Sequence, residues 1–377
     1  MASVERRDRD GVRSWVARWR GPDGRQRKRT FPRKLDALRH LTGVESRLLD
    51  GSYVDPARGR ITVGEWATKW YAGRVNLKPK TLASYDSLLS RRIRPTWETT
   101  PLCRVEHSAV VTWVAEMRAD GLSASRTRQA YHLLTAMLND AVKDSRLSRN
   151  PAAGVDLPRL PKAERRYLTH QQVEQLANEC GEYRTLVLTL AYCGLRWGEA
   201  AALKVRRVDL MRGRLDIAEA MTEVNGKAVF GMPKTHQVRS VPVPRFLRDE
   251  LMVQLAGKGP DDFVFPSPAG AVLRVNNWRR GCFNRAAEQV GLAGLVPHEL
   301  RHTAASLAVS SGASIKGVQA MLGHASATLT LDRYGHLFPD ELDAVAERLD
   351  VARSRSVVPR LCPEGTVTPI TERALGH

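Results

Sequence analysis

The stretch PHELRHTAAS, residues 297–306, gathers two histidines, a carboxylate and an arginine within five residues. Within it, His298-Glu299-Leu300-Arg301-His302 has the H-E-x-x-H spacing, which sets two imidazoles at i and i+4 on one helix face, as in zinc proteases. Such a site also requires a third ligand and an open position for water. The extended protease pattern would need Gly at 305 and His at 308, and Ala stands at both positions. No Asp or Glu occurs between Glu299 and Asp332 to serve as an acidic ligand. Arg301 would also place a permanent cation one turn from the metal. The metal reading lacks its parts.

The arginines offer different chemistry. In GLRWGEAAALK, Arg196 follows an apolar run at a Gly-flanked junction, with Glu199 one turn later. A guanidinium forks onto phosphate oxygens and keeps its charge, so Arg196 and Arg301 together could neutralise a phosphodiester and its transition state. Lys234 lies in MPKTHQVRSVPV at an expected turn, and His324 in MLGHAS beside Gly323. Tyr334 follows in LTLDRYGHL. A phenol is a poor nucleophile near neutrality and needs cations or donors around its oxygen. Each residue alone has a plain reading: a turn charge, a helix cap, a half-buried aromatic. Together they form a phosphoryl-transfer set that requires no metal.

Positioning these residues takes a block of helices and short strands. Thr169 heads a helix to about Cys180, 183–195 reads as a buried apolar helix, and helices resume after Asn276. RLDIAEA, KAVFGMP and VRSVPVP read as three short antiparallel strands. Upstream, four helices are expected over 62–74, 80–94, 106–119 and 123–144, with a capping box at Thr62 and Glu65 and an N-cap at Ser123. Further upstream, SWVARWR and RQRKRTF flank the turn GPDG as a hairpin, and a helix runs from Pro32 to about Leu49 with Leu35, Leu38, Leu41 and Leu48 available for burial. Trp15 and Trp19 supply an anchoring face there, with Arg18, Arg20, Arg25, Arg27, Lys28 and Arg29 nearby to meet nucleic acid. Lys78, Lys80, Arg126 and Arg128 could reach phosphates from the helical block.

Bulk composition agrees. Lys plus Arg outnumber Asp plus Glu by 59 to 40, a net charge of +19 that favours a polyanionic partner. The five cysteines are scattered without a C-x-x-C pair, which suits a reducing cytosol. No apolar run reaches the roughly 20 residues of a membrane span, and the charged N-terminus is not that of a secretory signal.

The boxes GLRWGEA, PKTHQVRSVPVP, HELRHTAAS and LGHASATLTLDRY resemble, in order, residue type and approximate spacing, the catalytic domain of the tyrosine recombinases of phage-integrase type. The resemblance covers about 167–350, and the earlier blocks are similar to the family in layout rather than in diagnostic residues. It implies a multidomain α+β chain: a small sheet-and-helix arm-site DNA-binding domain at 1–58, an all-α core-binding domain at 61–155 and a linker at 156–168. A mainly α catalytic domain with a small antiparallel sheet follows at 169–350, then a tail at 351–377. It further implies that Arg196 and Arg301 clamp the scissile phosphate and that Tyr334 attacks it to give a 3'-phosphotyrosyl link. Lys234 then protonates the leaving 5'-oxygen, His298 assists proton transfer around the tyrosine, and His324 donates to a non-bridging oxygen. Glu199 and His302 are supporting positions. No metal, nucleotide or other cofactor is required, because the phosphotyrosine stores the energy of the broken bond. The implied partners are double-stranded DNA at core and arm attachment sites and a homotetramer on that DNA. A host DNA-bending factor and an excisionase are accessory, no membrane is involved, and the location is the bacterial cytoplasm at the nucleoid. A type IB topoisomerase-like relaxing enzyme, or a DNA-binding regulator without catalysis, is the alternative. The segment after Tyr334, GHLFPDELDAVAERLD, reads as an amphipathic helix that packs in cis or on a neighbouring subunit.

Overall fold

The computed structural model describes residues 2–9, 12–50, 53–55, 57–161, 166–233, 238–335 and 349–354. Lys234, the amphipathic segment at 336–348 and the tail from 355 onward lie outside the described residues. The architecture is mostly helical with small antiparallel sheets. Two compact units are present, one of 1–163 together with 223–227, the other taking the remainder of the described chain.

In the first unit, β1 (Ser3–Arg9), β2 (Val12–Arg20) and β3 (Gln26–Phe31) form an antiparallel sheet with β2 central. GPDG makes the expected turn, Gly24 taking φ +73°. Helix α1 (Lys34–Leu49) packs Ala37, Leu41 and Val44 with Ala17 and Trp19. Those helix positions are spaced i, i+4, i+7, so Leu41 falls in the buried stripe as expected and Leu48 packs partly against it. Leu35 and Leu38 are exposed instead. Strand β1 was not expected, because SVERRDR offers only Val4 to the core among its charges.

The helical block holds α2 (Val63–Ala72), α3 (Pro79–Leu88), α4 (Arg94–Trp97), α5 (His107–Ala119) and α6 (Ala124–Lys143), with a π-helical turn at Leu89–Ile93 joining α3 to α4. The capping box forms: Thr62 Oγ1 accepts from the Glu65 N–H, and Glu65 Oε2 accepts from the Thr62 N–H, each at 3.1 Å. Trp66, Trp97 and Trp113 fill the core with Leu134 and Met137, and the Trp66 indole N–H donates to the Met137 carbonyl.

The second unit begins with α7 (His170–Glu179), α8 (Arg184–Cys193) and α9 (Trp197–Ala201). Short strands β4 (Val208–Asp209), β5 (Arg214–Ile217), β6 (Ala220–Val224), β7 (Lys227–Gly231) and β8 (Arg239–Pro242) follow. Then come α10 (Arg245–Leu255), α11 (Val275–Trp278), α12 (Asn284–Gln289), α13 (Pro297–Ser310), α14 (Ile315–Leu322) and α15 (Ala327–Tyr334). The strands depart from the expected trio. RLDIAEA divides between β5 and β6; β4, β5 and β8 form one sheet in that order, and among the described residues β6 pairs with β7. Leu215 and Ile217 point into the core opposite β8, with Leu215 across from Val241, so β5 takes a distant partner. Asn225 and Gly226, both at positive φ, close β6 onto β7 as a two-residue turn.

Beyond Arg184, helix α8 is largely apolar around its circumference because α7, α10 and α13 pack against it. Among the described residues, no helix is long and apolar enough to cross a membrane. The first turn of α9 is fixed by Gly198, where an added Cβ would stand 2.2 Å from the Met221 carbonyl oxygen. Gly198→Ala is therefore expected to cost about 1–3 kcal/mol of unfolding free energy, measured by urea denaturation. Ala at a tolerant helical site such as Gly317, where the nearest foreign atom is 3.4 Å away, should cost far less.

Candidate active site

Helix α8 ends at Gly194, which takes φ +64°, and an added Cβ there would stand 2.7 Å from Leu322 Cδ2. Only glycine combines that backbone with so close an approach. The chain then presents Arg196 as the N-cap of α9, with φ −70° and ψ 148°. Glu199, one turn on, accepts from the Arg196 backbone N–H at 2.9 Å and from its guanidinium at 2.8 Å. Helix α13 supplies the second arginine. Its N-terminus is closed by Glu299, whose Oε2 accepts from the Val296 N–H at 2.8 Å. The would-be protease base is thus a helix-end clamp.

Arg301 is 2% exposed and donates to the Gly194 carbonyl at 2.5 Å and the Leu322 carbonyl at 2.6 Å. Arg196 donates to the Gly323 carbonyl at 3.2 Å. A third cation, Arg239 at the start of β8, was not singled out in the sequence. It forks onto both oxygens of Glu199 at 3.0 and 2.6 Å and donates through Nε to the Met321 carbonyl at 3.1 Å. The three guanidiniums therefore cap consecutive carbonyls at the C-terminus of α14, the negative end of its dipole. The VRSVPVP string carried the signal for Arg239: a charge alternating with core-facing strand residues has to find a buried partner.

The turn that follows α14 carries His324, 9% exposed, with Nδ1 3.0 Å from the buried Thr330 hydroxyl. Among the described residues its Nε2 has no hydrogen-bond partner. Helix α15 ends on Tyr334, fully buried, its ring parallel to His324 with centroids 6.2 Å apart. The Tyr334 hydroxyl lies 2.7 Å from His302 Nδ1. The His302 ring meets His298 edge-on at 5.0 Å. Arg196, Glu199, His298, Arg301, His302, His324 and Tyr334 are thus brought together within one unit of one chain; Lys234 lies outside the described residues.

Cations outnumber anions here. Burial alone would push the Glu199 carboxyl up; the hydrogen bond and charge of Arg239, then the Arg196 N–H and charge, outweigh it and bring it down to about 2. Burial, then the charge of Arg196, pushes the Arg301 guanidinium down to about 9. Burial and the charges of Arg301, Arg333 and Arg196 bring His324 down to about 4; His298, solvent-accessible in the first turn of α13 between buried Pro297 and Leu300, is lowered by the desolvation its neighbours impose and then by the same charges in the same order. A phosphodiester between these groups would supply the missing negative charge.

The basic residues expected to meet DNA divide. Lys28 lies opposite Arg18 in the sheet, and Arg20 projects to that same face, which β-strand alternation sets opposite Trp15, Ala17 and Trp19; Arg18 is paired with Glu5 at 3.0 Å. Arg29 stands over the Phe31 ring, and Arg25 is exposed beside the turn. Arg27 is turned to structural use, held between Asp23 and Asp55. Lys78 and Lys80 are exposed at the start of α3, whereas Arg126 ties α6 to Ser84 and Ser87 of α3 and Arg128 reaches the Pro158 carbonyl.

Residues 166–341 match the Phage integrase family. The chain is 30% identical over 340 residues to the phiRv2 prophage integrase of Mycobacterium tuberculosis, spanning 85% of this chain and 88% of that protein. Its fold is like that of the Tn1549 transposon integrase in complex with transposon right end DNA, with a TM-score of 0.67 and 22% identity over 77% of this chain and all of that one. It is also like that of a lambda integrase tetramer bound to a Holliday junction, with a TM-score of 0.59 and 18% identity over 86% of this chain and 96% of that one.

Glu199→Gln leaves two guanidiniums without their buried counter-charge and is expected to cost on the order of 3 kcal/mol in chemical denaturation. In acid, a histidine held below its ordinary value contributes stability that is present above about pH 6.5 and is lost as pH falls towards its folded value. For His324 that window runs from about 6.5 down to about 4. The Glu199 contribution is lost lower still, from 4.5 towards about 2. Unfolding free energy measured against pH should therefore fall first through the upper window, and His324→Gln should shrink that portion, to which the lowered His298 also contributes, while leaving the lower one in place.

Proposed function

The chain belongs to the phage integrase family of tyrosine recombinases, and we propose that it exchanges DNA strands with its own Tyr334 as nucleophile. It is a site-specific tyrosine recombinase of phage or mobile-element context. The observation that carries the residue assignment is the surplus of positive charge in the unit that buries the phenol: Arg196 and Arg239 pair with one buried carboxylate, Glu199, Arg301 caps the Gly194 and Leu322 carbonyls, and the Tyr334 hydroxyl lies against His302.

In this reading, Arg196, Arg301 and the free Nε2 of His324 take the non-bridging oxygens of the scissile phosphate. Tyr334 Oη attacks phosphorus in line, the P–O5' bond breaks, and the 3'-phosphate remains on the tyrosine. Lys234, assigned by the family resemblance, protonates the departing 5'-oxygen. A 5'-hydroxyl from a second duplex reverses the step and frees the tyrosine. Negative charge grows on the non-bridging oxygens in the transition state, where fixed cations in a water-poor site act most strongly. Glu199 holds the two arginines that flank it, and no metal or nucleotide enters the scheme.

We take the working assembly to be a tetramer on two duplexes, as lambda integrase is on a Holliday junction. The exposed bases Arg20, Arg25, Lys28 and Arg29 are assigned to arm sites, and Lys78 and Lys80 to core DNA. A host DNA-bending factor, an excisionase and a place at the nucleoid follow from the family resemblance alone.

The test uses a nicked duplex carrying the attachment core recovered from DNA flanking the gene, resolved on a denaturing gel. Wild-type protein should form a covalent adduct, equally in EDTA, and Tyr334→Phe should form none. Arg301→Ala should slow adduct formation by about 10²–10³-fold. An undiminished adduct in Tyr334→Phe would overturn the assignment. The paired change Arg20→Glu, Lys28→Glu should weaken arm-site binding in gel shifts while leaving core cleavage within about twofold.

A further inference from the structure

We propose that His302, rather than His298, is the residue that takes the phenolic proton when Tyr334 attacks. The proposal rests on Tyr334 being the nucleophile. Its basis is contact with the reacting atom: Nδ1 of His302 lies 2.7 Å from Tyr334 Oη, with ring centroids 5.7 Å apart. Tyr334 is fully buried, so its proton requires a side-chain acceptor. The other groups around the phenol are occupied otherwise. His324 lies parallel to the Tyr334 ring and spends Nδ1 on Thr330. Arg301 is a permanent donor committed to the Gly194 and Leu322 carbonyls. His298 meets the His302 ring edge-on and sits at the exposed first turn of α13, one step further from the hydroxyl and towards solvent.

Other charged or titratable groups surround this pair: on α13 His298 and Arg301; from α15 Arg333; after α14 His324; from α9 Arg196; and from the segment before α7 Tyr167. In the neutral tautomer with its proton on Nε2, His302 accepts from Oη–H. As Oη bonds to phosphorus, that proton moves to Nδ1 and leaves an imidazolium. The P–O5' electron pair goes to the 5'-oxygen, which takes a proton from the acid on the opposite side. On rejoining, His302 returns its proton to the departing tyrosine. His302 is therefore a catalytic residue, where residue type and spacing alone indicated only a supporting role.

Single-turnover adduct formation on the same nicked duplex tests this. In wild type the rate should fall as pH is lowered through the histidine range. His302→Gln, which keeps a polar group but cannot titrate, should be slower by about 100-fold near pH 7.5 and should lose that acidic limb, with duplex binding unchanged. A 5'-bridging phosphorothiolate, whose leaving sulfur needs no acid, should restore Lys234→Ala and leave His302→Gln slow. A merely structural role would instead lower the rate by one factor at every pH. That outcome, a rate within threefold of wild type, recovery on the phosphorothiolate, or loss of the acidic limb in His298→Gln but not in His302→Gln would each overturn the proposal. If His302→Gln lowers the melting temperature, His302→Asn serves in its place, and a wild-type rate flat over about pH 5.5–8 overturns the proposal without any variant. Adduct persisting in Tyr334→Phe would instead sink the nucleophile assignment.

Discussion

The site rests on one electrostatic constraint: two guanidiniums share a single buried carboxylate, and together with a third they take the C-terminal carbonyls of one short helix. Arg239, Arg301 and Arg196 take the carbonyls of Met321, Leu322 and Gly323 in turn. Carbonyl dipoles and Glu199 do not cancel that much charge, and the Arg301 guanidinium is held down to about 9 by its burial first and then by the charge of Arg196. A catalytic surface built to receive a phosphate has to carry this imbalance while empty, because groups aimed at a developing charge must be in place before it forms.

Much of the surrounding architecture serves that arrangement. Gly194 lets α8 stop sharply enough for its carbonyl to meet Arg301 and for Leu322 to press against the turn. Gly198 lets α9 start against the Met221 carbonyl, which sets the direction of Arg196. Strand β8 has to pair with β5 for Arg239 to arrive beside Glu199. The largely apolar and mostly buried α8 provides a fixed floor beneath them. The same guanidiniums that hold the end of α14 also fix where His324 emerges, so packing and chemistry cannot be varied separately here.

Legibility in the sequence followed the range of the interaction. Helices of the first unit were readable to within a few residues because amphipathic spacing and caps such as Thr62–Glu65 are local. Counting missing ligands argues against a zinc role for the H-E-x-x-H string, but it does not say what Glu299 does; Glu299 is a helix-end clamp, which its spacing to Val296 could have suggested. Strand pairing was less accessible: β5 prefers a distant partner because its apolar face must enter the core, and nothing in RLDIAEA names that partner. The misplacement of Leu35 and Leu38 has a similar origin, since a helix with two apolar stripes does not declare which one meets a sheet. Arg27, counted among DNA contacts by its charge, is claimed by Asp55, which lies 28 residues away in the chain.

What this sequence determined by itself is the chemistry available: two arginines in apolar frames, a glycine-set histidine and a tyrosine ten residues beyond it, in an order that resembles one family of DNA-rejoining enzymes. Those are properties of residue type and spacing along one dimension. Tertiary structure decided which groups touch. It brought Arg239 across from a distant strand to Glu199 and set His302, not His298, against the Tyr334 hydroxyl. Two histidines on one helix face are equivalent in the sequence. They become different only when α15 packs over one of them, because hydrogen bonding is decided over tenths of an ångström and helical spacing fixes only the face.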